Sequence, residues 1–409
     1  MIDVTKLVSG IDNRPRKLRY ESEENKRARK PHPGGKPDLV PLVEWNTTAY
    51  CNLACKHCYY GAVKQPLPGE LTHEHAKMLI DHLAEMGVPV LVFSGGEPLL
   101  RSDNIELGKY ALSKGIRPVM SSNGTLFTKE KAKQAVEAGF KYVGISLDGI
   151  GETNNFFRGG SNAFETALNG VRNLKAEGMS VGLRYAMTKH TIKDLEGIID
   201  LAIAEGVDRL NIFHLIYSGR GKDITADDIS LDEARRAVDY IYEKAKELAV
   251  THPNFQILTA GNYCDAPYMY MKLEKDNPDW AKEAYKLLFS KDAGRIVKQG
   301  DGGPKLVSID HEGNVHPSMF LATHTFGNVK EQRLEDILKN SKLFEALSYP
   351  EENITGRCSQ CKWLSVCGGN SRARAYAVYG DLWASDPRCY LTDEEIGLKD
   401  TVGSVGSRS

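Results

Sequence analysis

An apolar strand that runs directly into a cysteine cluster fixes the interpretation of this chain. Leu42-Val43-Glu44-Trp45-Asn46-Thr47 is followed by Cys51-Asn52-Leu53-Ala54-Cys55-Lys56-His57-Cys58. From this strand to residue 215, short apolar strands alternate with amphipathic helices, a pattern that predicts a parallel sheet with helical crossovers. After the first strand, the predicted strands are Val88–Phe93, Arg117–Ser121, Tyr142–Leu147, Val181–Ala186 and Arg209–Leu215.

The helices predicted between these strands complete the six βα units. They span 72–86, 104–114, 128–138, 162–178 and 193–205, and a further helix is expected over 232–248. Six such units predict an α/β fold, either an open doubly wound sheet or a partial (β/α)6 barrel. In both architectures functional groups gather at the carboxyl ends of the strands, where the cysteine cluster stands.

Composition and charge exclude several classes of protein. The chain has 409 residues, of which 41% are hydrophobic and 26% are charged, as in ordinary globular proteins. The formal charge of −1 gives no bulk attraction to nucleic acid. We find no apolar run of about 20 residues that could span a membrane and no apolar signal core. We therefore expect a cytoplasmic protein with neither nucleic-acid nor membrane partners.

Cys51, Cys55 and Cys58 lie within eight residues of one another. Three thiolates can hold one cubane-sized iron–sulfur cluster and leave one iron corner without a protein ligand. An open metal position is a place for chemistry. The alternatives are a redox thiol or a zinc site, for which His57 could supply a fourth ligand.

The C-x3-C-x2-C spacing, with an aromatic residue after the last cysteine, resembles the radical S-adenosylmethionine (SAM) superfamily. In that family the open iron of a [4Fe-4S] cluster binds SAM, whose reductive cleavage yields a 5′-deoxyadenosyl radical. The segment Gly95-Gly96-Glu97-Pro98 matches the family motif that receives the SAM amino group. The resemblance implies that polar residues at later strands hold the SAM ribose and carboxylate: Ser122, Asn123, Ser146, Asp148 and Arg184. For Arg184 a strand-end salt bridge is the alternative.

A second cysteine group follows near the C-terminus. Its members are Cys358, Cys361, Cys367 and Cys389. Four thiolates suffice for an iron–sulfur cluster or a zinc site, and their spacing alone does not choose between the two. Next to a radical SAM domain, the group resembles the SPASM/twitch type of extension, which implies an auxiliary [4Fe-4S] cluster. The hairpin around His316 lacks the further cysteines of a full SPASM domain, so we expect one auxiliary cluster, used for electron transfer. The remaining Cys264 is predicted to be a buried structural thiol, with a hydrogen donor or a ligand as the alternative.

Longer segments, such as 214–221 and 380–384, resemble the radical SAM enzymes that remove side chains from tetrapyrroles. The resemblance implies removal of acetate groups from didecarboxysiroheme to give Fe-coproporphyrin III in siroheme-dependent heme biosynthesis. It also implies an electron donor such as ferredoxin or flavodoxin. Removal of propionate groups in heme d1 synthesis and peptide maturation are alternative enzymatic functions. A non-enzymatic iron–sulfur or zinc protein is the alternative from another class.

A flat iron macrocycle rimmed by carboxylates calls for cationic contacts, an aromatic slot and possible axial ligands. The candidates for substrate binding are Arg158, Arg220, Lys222, Tyr263 and Arg372. His214 and His316 are candidate axial ligands or proton donors, with a structural role as the alternative for each.

The same features divide the chain into five parts. Residues 1–40 are predicted to form a basic N-terminal arm, and 41–250 the radical SAM partial barrel. A connecting segment at 251–304 leads to a SPASM/twitch-like auxiliary cluster domain at 305–396. Residues 397–409 are predicted to be a flexible tail.

Overall fold

One continuous sheet of eleven strands organises the molecule. The computed structural model describes residues 1–10, 40–289 and 306–398. In chain order the strands are β1 Ile2–Asp3, β2 Leu42–Asn46, β3 Val90–Ser94, β4 Arg117–Ser122, β5 Val143–Ser146, β6 Val181–Met187, β7 Arg209–His214, β8 Gln256–Ala260, β9 Leu306–Ile309, β10 Asn314–His316 and β11 Gly327–Asn328. Their order across the sheet is β1-β8-β7-β6-β5-β4-β3-β2-β9-β10-β11.

The six predicted parallel strands are confirmed as β2 to β7, each parallel to its neighbour in chain order. The α/β fold class is confirmed with them. Thr72 caps the first crossover helix by accepting a hydrogen bond from the His75 backbone, as a Thr N-cap does.

Fifteen α-helices lie within the described residues. The first ten are α1 Val4–Ser9, α2 His73–Glu85, α3 Asn104–Ser113, α4 Lys129–Glu137, α5 Glu152–Arg158, α6 Ala163–Ala176, α7 Leu195–Ala204, α8 Leu231–Thr251, α9 Asp265–Asp276 and α10 Pro278–Phe289. The C-terminal five are α11 Leu334–Asn340, α12 Lys342–Ser348, α13 Leu364–Cys367, α14 Arg372–Tyr379 and α15 Asp393–Ile396.

The two faces of the parallel sheet differ in polarity. Successive side chains of a strand point to opposite faces. One face carries the fully buried Trp45, Phe93 and Ile212, which belong to the main hydrophobic core with the crossover helices. On the opposite face of β2 lie Glu44 and Asn46, which are buried as well. A buried polar face is unusual in a parallel sheet and marks the side on which chemistry takes place.

Two strands that were not predicted within the parallel sheet extend it at both edges. β8 lies in the predicted connecting segment and pairs in parallel with β7. All five of its side chains are buried. At the other edge β9 pairs in parallel with β2, and Glu44 is opposite Ser308. The predicted hairpin of β9 and β10 is present, but it continues the sheet of the barrel. Residues 290–304 of the connecting segment, and residue 305 after it, lie outside the described residues.

The predicted arm is wrong for the first nine residues. β1 pairs antiparallel with β8, and α1 begins behind it with Asp3 as N-cap. Ile2, Val4 and Leu7 are fully buried in the core. Three apolar residues are too short a pattern to predict a strand and a helix. The partners of β1 in β8 also lie about 250 residues away in the sequence. The arm at 11–39 and the tail from 399 onward lie outside the described residues.

Among the described residues, no helix combines the length and the apolar character needed to cross a bilayer.

We expect the N-terminal segment to contribute to stability. Replacing Leu7 by Ala should lower the free energy of unfolding by about 2–5 kcal/mol, since it opens a cavity in the core. Val250→Ala is the matched control, because Val250 is 82% exposed and should change the free energy by less than about 0.5 kcal/mol. Urea denaturation of both variants measures this difference, and equal midpoints would refute the structural role of α1.

Candidate active site

The loop that carries the first three cysteines leaves the carboxyl end of β2. Backbone hydrogen bonds from Cys51 N to Val63 O (2.8 Å) and from Val63 N to Ala49 O (2.9 Å) close it into a compact turn. Cys51 and Cys55 are buried and Cys58 is half-buried. Two backbone amides donate hydrogen bonds to sulfurs of this loop. Leu53 N lies 3.4 Å from Cys51 Sγ, and Ala62 N lies 3.4 Å from Cys58 Sγ. Such donors stabilise metal-bound thiolates.

Arg158 supplies positive charge to this loop. Its Nη1 lies 3.7 Å from Cys55 Sγ, and its Nε donates to Asp148 Oδ2 at 2.8 Å. Burial raises the pKa of Cys55 to about 12, while the charge of Arg158 opposes that rise. Arg158 therefore stands beside the cysteines, and its contacts do not suit the substrate-binding role predicted for it.

Arg220 and His57 also belong to the cysteine loop. Arg220 donates from Nε to Cys55 O and from Nη1 to Ala62 O, both at 2.8 Å. His57 stacks on Phe157 with 4.6 Å between ring centroids. Its Nε2 lies 3.3 Å from Asp148 Oδ2, and burial lowers its pKa to about 4. Arg220 thus holds the backbone of the cysteine loop in place.

The glycines of the segment 94–98 allow it to lie against the entry to the cysteine loop. A Cβ atom on Gly96 would stand 2.1 Å from Tyr50 O, and one on Gly95 would stand 2.5 Å from Thr48 O. Gly95 also has a φ of +128°, which favours glycine. Because neither glycine has a Cβ atom, the two backbone segments come close enough for hydrogen bonds from Gly96 N to Thr48 O (2.7 Å) and from Glu97 N to Tyr50 O (2.8 Å).

Glu97 connects the ends of β3 and β4. Its carboxylate accepts hydrogen bonds from Ser122 Oγ and from Asn123 N, both at 2.8 Å. Burial raises its pKa to about 7, against the effect of these donors. The Asn123 amide then reaches the first cysteine, with Nδ2 3.8 Å from Cys51 Sγ. The structure therefore brings three of the predicted SAM residues together beside the cysteine loop.

The other predicted SAM residues lie further along the sheet. Ser146 ends β5, next to Arg184 in register on β6. Arg184 lies on the polar face, where it donates to Ser121 Oγ. Burial raises the pKa of Glu44 on the same face, and the charge of Arg184 opposes the rise. Asp148 is different, because its two oxygens accept from Arg158 and from Ala186 N (2.7 Å), so that it acts on the site through Arg158.

Sequence reasoning missed Tyr59, which follows the last cysteine of the first loop. Its hydroxyl lies 3.0 Å from Glu44 Oε1, 3.2 Å from Asn46 Oδ1 and 3.0 Å from Ser94 Oγ. It joins the loop to the polar face of the sheet. The signal was present in β2, where Glu44 and Asn46 interrupt an otherwise apolar strand.

The second cysteine group surrounds one cavity. All four predicted ligands line it: Cys358, Cys361, Cys367 and Cys389. Arg357, Trp363 and Cys264 also contribute to the lining. Trp363 N lies 3.3 Å from Cys361 Sγ, and Arg357 Nη1 lies 3.7 Å from Cys389 Sγ. The neighbouring Cys264 side chain lowers the pKa of Cys389 to about 7, against the effect of burial. Four thiols with N–H donors and a cation fit a four-iron cluster.

Neither cysteine group has the geometry of a site for a single ion. Among the described residues, no three His, Cys, Asp or Glu side chains converge enough to hold one metal ion. A four-iron cluster does not require such convergence, because each thiolate binds a different iron corner.

Both predicted histidines are engaged within the protein. His214 Nε2 lies 3.0 Å from Asp265 Oδ2, and Asp265 Oδ1 accepts from Tyr390 Oη at 2.7 Å. His316 contacts His324 O with Nδ1 (2.9 Å) and Asp310 Oδ2 with Nε2 (3.2 Å). These buried contacts favour the structural alternative for both side chains.

The remaining substrate candidates do not form a common rim. Arg372 is buried, with Nη1 donating to Leu382 O at 2.7 Å and to Ala384 O at 2.8 Å. Tyr263 is buried at the segment before α9, and Lys222 is exposed. Arg372 stabilises the loop after the second cysteine group and is not placed to bind a carboxylate of a ligand.

Comparisons with known proteins agree with this geometry. The family description "Radical SAM superfamily" matches residues 45–202, and "SPASM, iron-sulfur cluster-binding domain" matches residues 302–362. Fe-coproporphyrin III synthase of Methanosarcina barkeri is 44% identical over 97% of this chain and 99% of its own length. Pre-heme d1 synthase of Dinoroseobacter shibae is 38% identical over 90% of both chains. A solved structure described as native anSMEcpe with bound AdoMet has the same fold, with a TM-score of 0.66, 17% identity, and coverage of 85% of this chain and 94% of that one.

Fold and site together define a radical SAM enzyme with an additional iron–sulfur domain, which uses SAM, a [4Fe-4S] cluster and a further cluster. Within this class, the chain belongs to the family that contains Fe-coproporphyrin III synthase and pre-heme d1 synthase.

We expect Arg158 to be needed for cluster assembly at the first loop. In Arg158→Met the buried Cys55 thiol loses its neighbouring cation, so iron content should fall from about eight towards about four atoms per chain. In the wild type, loading of the first loop should rise with pH, since the raised pKa of Cys55 leaves the thiol protonated at neutral pH. Iron and sulfide analysis after anaerobic reconstitution measures both effects.

Arg172→Met is the control for this experiment, because Arg172 forms an exposed ion pair with Glu205 far along the chain from the cysteines. It should load iron like the wild type. Full iron content in Arg158→Met would contradict the role given to that residue.

Proposed function

We propose that this enzyme removes two acetate side chains from didecarboxysiroheme and releases Fe-coproporphyrin III. The observation that carries the proposal is its similarity to Fe-coproporphyrin III synthase along nearly the whole chain, both cysteine groups included in the matched length. The ordered loop beside the polar face of the sheet provides the place for a radical reaction on a bound substrate.

The contacts of the thiols support an assignment of ligands to the two clusters. Cys51, Cys55 and Cys58 would hold the SAM-binding cluster, and the four thiols of the second cavity would hold the auxiliary one. When bound, the reduced first cluster supplies the electron that converts SAM into the radical that takes a hydrogen atom from an acetate arm. Asp148 orients Arg158, and Arg158 in turn stabilises the thiolate of Cys55.

The ends of the strands would receive SAM. Glu97 fixes the backbone of Asn123 and the hydroxyl of Ser122, so the loop glycines Gly95 and Gly96 and the segment to Pro98 are held in one conformation. Ser146 and Arg184 extend this surface along the polar face. Arg184 would bind a carboxylate there in exchange for its contact with Ser121.

The remaining partners follow from the chemistry. A reduced cluster needs a low-potential electron donor, for which ferredoxin or flavodoxin is suitable, and we propose no nucleic-acid partner. We place the enzyme in the cytoplasm, where a reducing environment keeps seven cluster thiols free of disulfides.

The substrate assignment predicts a specific product. Anaerobic incubation with didecarboxysiroheme, SAM and dithionite should give a tetrapyrrole that has lost two acetate units, as measured by mass spectrometry. Omitting SAM should leave the substrate unchanged. The runner-up function, which the similarity to pre-heme d1 synthase favours, predicts loss of propionate units, and an unchanged tetrapyrrole would refute both.

The two cysteine groups should differ in their effect on catalysis. Replacing Cys51, Cys55 or Cys58 by Ala should abolish the release of 5′-deoxyadenosine, because the SAM-binding cluster cannot form. Replacing Cys358 or Cys367 by Ala should spare some release but stop turnover of the tetrapyrrole, since only the auxiliary cluster is lost. Chromatography of both products tests this, and unimpaired tetrapyrrole turnover in the second set would exclude the auxiliary role.

A further inference from the structure

One arginine connects the first and the last predicted ligand of the auxiliary cluster. Arg357 directly precedes Cys358 in the sequence, and its Nη1 lies 3.7 Å from the sulfur of Cys389. The first three predicted ligands lie close together between residues 358 and 367, whereas Cys389 belongs to a later loop. Arg357 therefore places a positive charge at the ligand that is most distant in sequence from the others.

Three hydrogen bonds fix the guanidinium group of Arg357 at this place. Besides the contact with Cys389, its Nη2 donates to Leu391 O, and its Nε donates to Asp393 Oδ1 at 2.7 Å. All three acceptors lie in the short segment that leads from Cys389 into α15, whose first residue is Asp393. Because the N–H groups of a guanidinium form a rigid planar fork, these contacts together define how it faces the sulfur.

The ion pair of Arg357 and Asp393 lies at the surface. The side chain of Arg357 is 33% exposed and that of Asp393 is 62% exposed. Exposed ion pairs contribute little to stability, in contrast to the fully buried pair of Arg374 and Asp386 in the same domain. Since Arg357 lines the cavity of the four thiols, its contact with Cys389 is the interaction that bears on a bound cluster.

The charges of Arg357 and Asp393 act on such a cluster in opposite directions. A four-iron cluster bound by four thiolates is negatively charged, and its negative charge increases when it accepts an electron. A cation that donates an N–H group to a ligand sulfur stabilises the reduced cluster more than the oxidised one, and so raises the reduction potential. The carboxylate of Asp393 opposes this effect, because it offsets the charge of the same guanidinium.

We propose that Arg357 raises the reduction potential of the auxiliary cluster through its contact with Cys389 Sγ, and that Asp393 limits this rise. The inference rests on the proposed assignment of the four thiols of the second cavity as the ligands of that cluster. It is independent of which tetrapyrrole side chain the enzyme removes, because the potential of the cluster is measured without a substrate.

The test uses a full-length parent in which Cys51, Cys55 and Cys58 are replaced by Ala, so that the auxiliary cluster alone gives a signal. Arg357→Met, Arg357→Lys and Asp393→Asn are reconstituted in this background, and redox titration followed by electron paramagnetic resonance gives their midpoint potentials. All should bind the same amounts of iron and sulfide. The potential should be lower than that of the parent in Arg357→Met, closer to the parent in Arg357→Lys, which keeps the charge, and higher than the parent in Asp393→Asn.

Arg172→Met is the matched control, because Arg172 also donates from Nε to an exposed carboxylate, that of Glu205, and it should leave the potential unchanged. An unchanged potential in Arg357→Met, or shifts of the same sign in Arg357→Met and Asp393→Asn, would overturn the proposal. If Arg357→Met loses the cluster, Asp393→Asn, which keeps the arginine, decides in its place, and an unchanged potential there refutes the proposal. A parent without iron would refute the assignment of the four ligands, and the inference with it.

Discussion

The contact between the Arg158 guanidinium and the Cys55 sulfur is the constraint on which the candidate active site depends. A cluster loop must be buried to exclude water, yet burial disfavours the thiolates that bind iron. Arg158 resolves this conflict only because Asp148 holds it. Asp148 in turn is anchored by the backbone of β6 at Ala186. The position of the positive charge beside the cysteine loop is therefore set by β6, several strands away from β2.

Close backbone packing provides the second constraint. Gly95 and Gly96 let the end of β3 touch the residues that enter the cysteine loop, and Glu97 then reaches the end of β4. Three successive strand ends become one rigid unit without a large side chain at their centre. The polar face with Glu44, Tyr59 and Arg184 continues that unit into the sheet.

What the sequence predicted well depends on local pattern. Strand and helix alternation is a local property, and so is cysteine spacing, which is why β2 to β7 and both cysteine groups were found. The arginine assignments depended on partners that no spacing reveals. Arg220 donates to a backbone carbonyl of a loop distant in sequence, and Arg372 donates to one in the loop that follows its own helix. The same residue type that suits a ligand carboxylate therefore serves the loops themselves.

The alternation of side chains along β7 explains the position of His214. It shares a strand face with Leu210 and Ile212, two residues of the hydrophobic core, and so it turns away from the face that carries Asn211. A strand end was predicted correctly, but the side of the sheet was not considered. Cys264 is buried, as predicted, but its place beside the second cysteine group could not be predicted, because its neighbours in space come from the far end of the chain.

The pairing of β1 with β8 and of β2 with β9 has a consequence for biosynthesis. The segments that leave the ribosome first find their partners only after some 250 further residues have been made. Contacts of such large sequence separation form slowly. Strand β2, which leads into the first cysteine loop, therefore pairs early with β3 but gains its second parallel neighbour, β9, only late in synthesis.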